Sequence, residues 1–300
     1  ALYGLYPQGH GQLLGQTIFT AVMVYAHLVT MSTSESKFTV EPLITLPKGH
    51  GPVEKLKTRI RDELLTLSNR DIIKNKELME LATDMGSDLC INTFAVNFKT
   101  ADGRKNEDVM EANALNARIL KRLSIVDPKT TRNTVPLILM STVLSQAAYQ
   151  DSLDVYKARL GLRGQQDLYV LVNTNMSPFA TEFGILKEIM KALTSIIEEE
   201  VDVALYRNTL KPARHDFVMQ GTEKIFLANL PMYNMENHRQ QLVITGDLPD
   251  EVKQEYVDQR AQNPNALFVL RNTNDLTLDE VLSTGEFRAQ IYKVVTKLKE

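Results

Sequence analysis

Leu89-Cys90-Ile91-Asn92-Thr93-Phe94-Ala95-Val96-Asn97-Phe98 reads as a strand that is apolar on both faces except for Asn92, Thr93 and Asn97. A run bounded by turn signals and rich in β-branched and aromatic residues is the pattern of a central strand. Thr100-Ala101-Asp102-Gly103 supplies the following turn. A helix is then expected over 107–123, with Val109, Ala112, Leu115, Ile119 and Leu123 on one stripe. Leu168 to Thr174 is a second buried-looking strand, stopped by Met176-Ser177-Pro178.

Working outward, Gln12 to Val29 predicts a helix with apolar residues on most sides. Gln16, Thr17, Thr20 and His27 interrupt it, so a buried core helix fits better than a membrane span. Phe38 to Leu46 is a strand candidate that Pro42 confines to an edge. Two helices follow, over 53–67 and 72–85, then a strand over 135–144 and helices over 150–160 and 181–201. This mixture predicts an α+β layer with helices on one face of a sheet. Past the break at Leu210-Lys211-Pro212-Ala213 the pattern changes. Short strands are expected near Phe217 and over 224–230, 241–245 and 267–271, with helices over 249–262 and 276–282.

Composition excludes some classes. The charge of -3 is spread over both signs without a block, which argues against a nucleic-acid footprint. A single cysteine, Cys90, rules out an intrachain disulfide and a Cys-rich zinc site and makes the cytoplasm the default compartment. Ala1-Leu2-Tyr3-Gly4 carries no signal-peptide n-region, and a chain opening almost directly into an apolar helix reads as a piece of something longer.

Site signals are sparse. Gly9-His10-Gly11 and Gly49-His50-Gly51 lack the spacing of a phosphate loop and read as turns. His215, Asp216 and His238 do not have metal-ligand spacing. Glu198-Glu199-Glu200 reads as a solvated face at a helix end. Asn272-Thr273-Asn274-Asp275 begins like a calcium loop, then breaks at Leu276 and Leu278. Asp247, Asp250 and Glu251 could offer oxygen ligands to a cation. Asn173-Thr174-Asn175 is the most informative stretch, because three polar side chains close a buried strand. They either face a ligand or form a turn that caps the next helix.

Three motifs carry a family likeness: Gly9-His10-Gly11-Gln12-Leu13-Leu14-Gly15, the strand 89–98 with Asn113-Ala114-Leu115-Asn116, and 168–179 ending in Met176-Ser177-Pro178-Phe179. Over roughly residues 5 to 205 the chain resembles the C-terminal portion of group II pyridoxal phosphate-dependent decarboxylases, especially the tyrosine and aromatic amino-acid enzymes. The resemblance implies a fold-type-I small domain over 37–206, preceded by the end of a large cofactor domain over 1–36 and followed by an appended α+β module over 207–300. It implies a homodimeric parent that removes the α-carboxylate of an L-amino acid, with Thr174 and Asn173 near the substrate. The cofactor lysine of that family follows a histidine, and no His-Lys pair occurs here. Nor does any motif match the aspartate that pairs with the pyridine nitrogen. Pyridoxal 5'-phosphate would therefore be held by a part of the parent that this chain lacks, and no catalytic or cofactor-binding residue is expected here. The alternative is a non-catalytic regulatory or binding module derived from such an enzyme.

Overall fold

The computed structural model is described over residues 4–86, 89–124, 137–181, 184–209, 213–229 and 243–294. The chain divides into two compact units, Ala1–Leu205 and Tyr206–Glu300.

In the first unit, α1 (Gln12–Thr30) is followed by β1 (Phe38–Pro42), α2 (Val53–Arg59, continued by a wider turn to Leu64), α3 (Asn69–Lys74) and α4 (Lys76–Met85). Then come β2 (Ile91–Phe98), α5 (Val109–Arg122), β3 (Met140–Leu144), α6 (Gln146–Leu160), β4 (Leu168–Thr174) and α7 (Ile185–Thr209). The strands form an antiparallel sheet in the order β1-β2-β4-β3. β1 ends at Pro42 and lies on the edge, where a residue without an N–H costs no ladder bond.

Helices cover both faces of this sheet, not one. Phe38, Val40, Phe94, Val96, Phe98 and Leu171 share a core with α1, α4 and α7. On the opposite face Ala95, Leu168 and Val170 pack with Leu153, Tyr156 and Leu160 of α6. Strands buried on both sides must be apolar at nearly every position, which is why β2 shows no polar alternation. Residues 20–26 and 28–30 of α1 are buried in the first core, so the expected division at 36/37 falls inside this unit. Pro7–Thr30 is also long and apolar enough to cross a membrane by length and composition.

Buried asparagines hold the sheet where its strands part. β2 pairs with β4 only from Ile91 to Phe94, while its other edge follows β1 as far as Phe98. In the gap, Asn116 of α5 accepts from Val96 N at 2.9 Å and donates to Val96 O at 2.8 Å. Asn113, one turn earlier, accepts from Tyr169 N and donates to Asp167 O. The two amides thus replace missing ladder partners, as buried backbone groups require. Asn97 joins them by donating to the carbonyls of Asn106 and Leu160.

Some boundaries depart from expectation. Asn75 splits the helix expected over 72–85, because it leaves helical geometry (ψ 103) and its side chain accepts from Leu78 N to start α4. α7 runs on to Thr209, so Glu198–Glu200 lie inside it. Glu198 and Glu199 are exposed, as a solvated face requires, but Glu200 is not. Glu200 is buried, paired with Arg118 at 3.1 Å and Arg122 at 3.4 Å, and Glu199 meets Arg122 at 2.6 Å.

The second unit contains β5 (Asp216–Gln220), β6 (Ile225–Asn229), β7 (Val243–Gly246), α8 (Asp250–Gln262), β8 (Leu267–Asn272), α9 (Leu278–Thr284) and β9 (Ala289–Val294). Its strands make an antiparallel sheet in the order β7-β6-β5-β8-β9. β9 was not expected from the sequence, although Ala289 and Ile291 face inward beside exposed Gln290 and Tyr292. The architecture is α+β with two antiparallel sheets, and nothing in it links the chain to a fold-type-I enzyme.

Candidate functional site

A wide concavity lies in the second unit. Phe217, Met219, Ile225, Leu227, Phe268 and Leu270 make one face of the sheet apolar and buried. Two helices cover that face incompletely. α8, Asp250-Glu251-Val252-Lys253-Gln254-Glu255-Tyr256-Val257-Asp258-Gln259-Arg260-Ala261-Gln262, buries only Tyr256. α9 is two turns long and buries only Val281. A helix with so few apolar positions cannot fill an apolar sheet face.

What remains between α8, α9 and the sheet is a cleft of about 990 Å³. Leu227, Ile244, Leu270 and Ile291 line its floor, and Gly246 lies at one side. A Cβ at Gly246 would come within 2.9 Å of the Leu227 side chain, so any larger residue there would push into the floor. Tyr256 closes the deep end, with its ring edge-on to Phe268 at 5.2 Å and its hydroxyl donating to Gly221 O at 3.2 Å. Val252 and Leu282 stand exposed on the lips. The charged lining is Asp247, Glu255 and Glu286 against Lys293 alone. An apolar floor with a few polar groups at the rim is the usual build of a ligand cleft.

The expected cation ligands do not gather. Asp250 and Glu251 lie in the first turn of α8, and Asp247 precedes that helix and lines the cleft. Among the described residues no three His, Cys, Asp or Glu side chains come together as they would around a metal. The calcium-like stretch 272–275 is also committed elsewhere. Asn272 accepts from His215 N and donates to Ala213 O and Asn274 O, while Asp275 pairs with Arg214 at 3.3 Å. His215 is buried, with Nε2 3.0 Å from Leu276 O. Asp216 is held by Arg271 directly across the strand pair, and this bond keeps its carboxyl below the usual range. His238 lies outside the described residues.

Asn173 stands opposite Asn92 and Thr174 opposite Ile91 in the β2–β4 ladder. Asn175 donates its backbone N–H to Cys90 O at 2.7 Å. The side-chain atoms Asn173 Oδ1 and Asn175 Nδ2 are buried without a hydrogen-bond partner among the described residues. Met176 and Pro178 border an open apolar depression with Leu5, Tyr6 and Leu14. Thr174 and Asn173 are thus neighbours on one strand, and neither lines that depression. The glycine tripeptides are local. Gly49 and Gly51 have positive φ (96° and 87°), and His50 Nε2 between them lies 2.9 Å from Asp84 Oδ2.

Residues 209–299 match the family model of the Cuben fold calcium-binding domain. No curated protein matches the chain.

These findings overturn the decarboxylase resemblance. No pyridoxal phosphate-dependent decarboxylase family matches, and the match obtained points to calcium, not to pyridoxal 5'-phosphate. The amino-acid carboxy-lyase reading, and the regulatory module derived from such an enzyme, are withdrawn with it. The amino-acid substrate and the homodimer rested on that resemblance alone. There is a physical reason for the misreading. Asn113 and Asn116, which carried much of the likeness, are occupied in replacing strand partners, a task set by sheet geometry and not by any reaction.

Proposed function

We propose that the C-terminal unit is a calcium-binding module. The observation that carries this reading is the similarity of residues 209–299 to the Cuben fold calcium-binding domain. The geometry bears on affinity. Calcium sites are tuned by the number of charged ligands, from nanomolar cages to roughly 10⁻⁴–10⁻³ M in low-charge extracellular modules. Since no three carboxylates converge among the described residues, the weak end of that range is expected for a site built from them. At 10 mM calcium, a Kd of about 1 mM stabilises the folded unit by about 1.4 kcal/mol. For a unit of this size that raises Tm by roughly 5–10 °C. The test is a melting curve of the whole chain with calcium, magnesium or sodium chloride at matched ionic strength. A rise specific to calcium supports the reading, and identical curves in the three salts refute it.

A second reading is favoured by the cleft. Its exposed apolar lips, Val252 and Leu282, and the excess of carboxylate over lysine along its lining suit an apolar ligand that carries positive charge. Replacing Gly246 with Val would place carbon in the floor next to Leu227. Binding of a cationic amphiphile such as dodecylamine should weaken in that variant. Equal binding by both proteins would count against the cleft as the seat.

A further inference from the structure

A second cavity, of about 360 Å³, lies in the first unit between the end of α1, the turn that extends α2, and α7. Its charged lining is Arg61, Lys187 and Lys191, and neither Asp nor Glu lines it. The acids nearest in sequence, Asp62, Glu63 and Glu188, are not part of the wall. Lys187 and Lys191 are one turn apart on α7, where two like charges repel. Surface lysines usually meet carboxylates or point into open water. Here both are exposed, and neither makes an ion pair among the described residues. Among the described residues Arg61 is anchored by Nη2 donating to Thr30 O at 3.3 Å, and its remaining N–H groups have no partner there.

A half-buried probe of the local potential sits in the same wall. His27 is held down to about 4 by burial first and by the Lys187 ammonium second. An open depression with three exposed cations and a neutral imidazole, and with no counter-charge in its wall, is arranged to receive an anion. Its volume suits a small group and not a polymer.

We propose that this cavity binds a phosphate-bearing small molecule through Arg61, Lys187 and Lys191. The proposal concerns the first unit and is independent of calcium binding by the second. The guanidinium supplies forked N–H donors and the two ammonium groups supply point charges, the combination that recognises a phosphate anion.

The test uses the whole chain and inorganic phosphate. The His27 ring is followed by NMR as pH is varied, in 20 mM phosphate and in chloride of equal ionic strength, with its resonance assigned from a His27→Asn variant. An anion within about 4–6 Å raises the pKa of a histidine by roughly 1–3 units, so His27 should titrate at least about one unit higher in phosphate. The rise should vanish in Lys187→Ser/Lys191→Ser, whose exposed positions leave the core intact, and shrink in Arg61→Gln. Equal titration in phosphate and chloride, or a rise that survives in the double variant, overturns the proposal. A lipid headgroup offers the same chemistry, so flotation with phosphatidylserine vesicles is the second arm. Co-flotation without a His27 response to free phosphate also overturns the small-ligand assignment.

Discussion

Replacing Asn116 with Ala should destabilise the first unit by about 4 kcal/mol, more than any exposed substitution on α5 would. Asn116 is fully buried. Its amide oxygen accepts from Val96 N at 2.9 Å, and its amide nitrogen donates to Val96 O at 2.8 Å and Ala112 O at 2.7 Å. Truncation leaves the N–H and C=O of Val96 buried without partners, at roughly 1–3 kcal/mol for each group, and opens a small void besides. Urea unfolding followed by far-UV circular dichroism measures the effect. With a slope of about 2–3 kcal/mol/M, the midpoint should fall by roughly 1.5 M. Asn116→Asp should do no better, because a carboxylate has no N–H for the two carbonyls it would face. Asn113→Ala should cost less, since Asn113 is only half-buried. A fall in midpoint below about 0.4 M for Asn116→Ala would refute the view that this amide substitutes for a strand.

Three further outcomes follow from the same physics. Glu200→Ala leaves Arg118 facing a desolvated gap between α5 and α7, and breaking such a partly buried pair should cost about 3 kcal/mol by urea unfolding; a loss under 1 kcal/mol would place the pair among ordinary surface bridges. His27 has its folded pKa lowered to about 4 from an ordinary 6.5, so the unfolded chain takes up its proton first as pH falls. Stability is then complete above pH ~6.5 and lost as pH drops toward the folded value, by about 3 kcal/mol for this one group. In His27→Asn the pH dependence of Tm across that window should flatten, and an unchanged slope would contradict the assignment. Lys157 points all its donors inward, to Gln146 Oε1 and the carbonyls of Gly164 and Gln166. Lys157→Met should therefore loosen residues 161–167, lowering Tm and raising amide exchange there, whereas a solvated lysine would show neither change.

The expected elements were largely legible wherever apolar periodicity is strong. The regions of α1, β2, α5 and β4 stand out because burial on one or both faces dictates residue type at every second or every third to fourth position. The reciprocal cap of Thr277 and Glu280 at the start of α9 was not among the expectations, although its spacing is a capping signal. β9 was missed because its inward positions end in Lys293, which reaches the cleft and breaks the apolar alternation. Neither cavity could be seen in sequence. One depends on how little of a sheet face α8 covers, and the other on three helices converging from positions as far apart as His27 and Lys191.

By itself the sequence determined that this chain is α+β, where most of its strands and helices lie, and that its character changes near residue 210, since these depend on local pattern and composition. Only the tertiary structure decided that helices cover both faces of the first sheet, that Asn113 and Asn116 stand in for strand partners, and that Glu200 is an internal ion-pair partner. Those are properties of residues distant in sequence brought together by packing. A motif shows which side chains are present; only the surroundings decide whether an amide holds a backbone or a ligand.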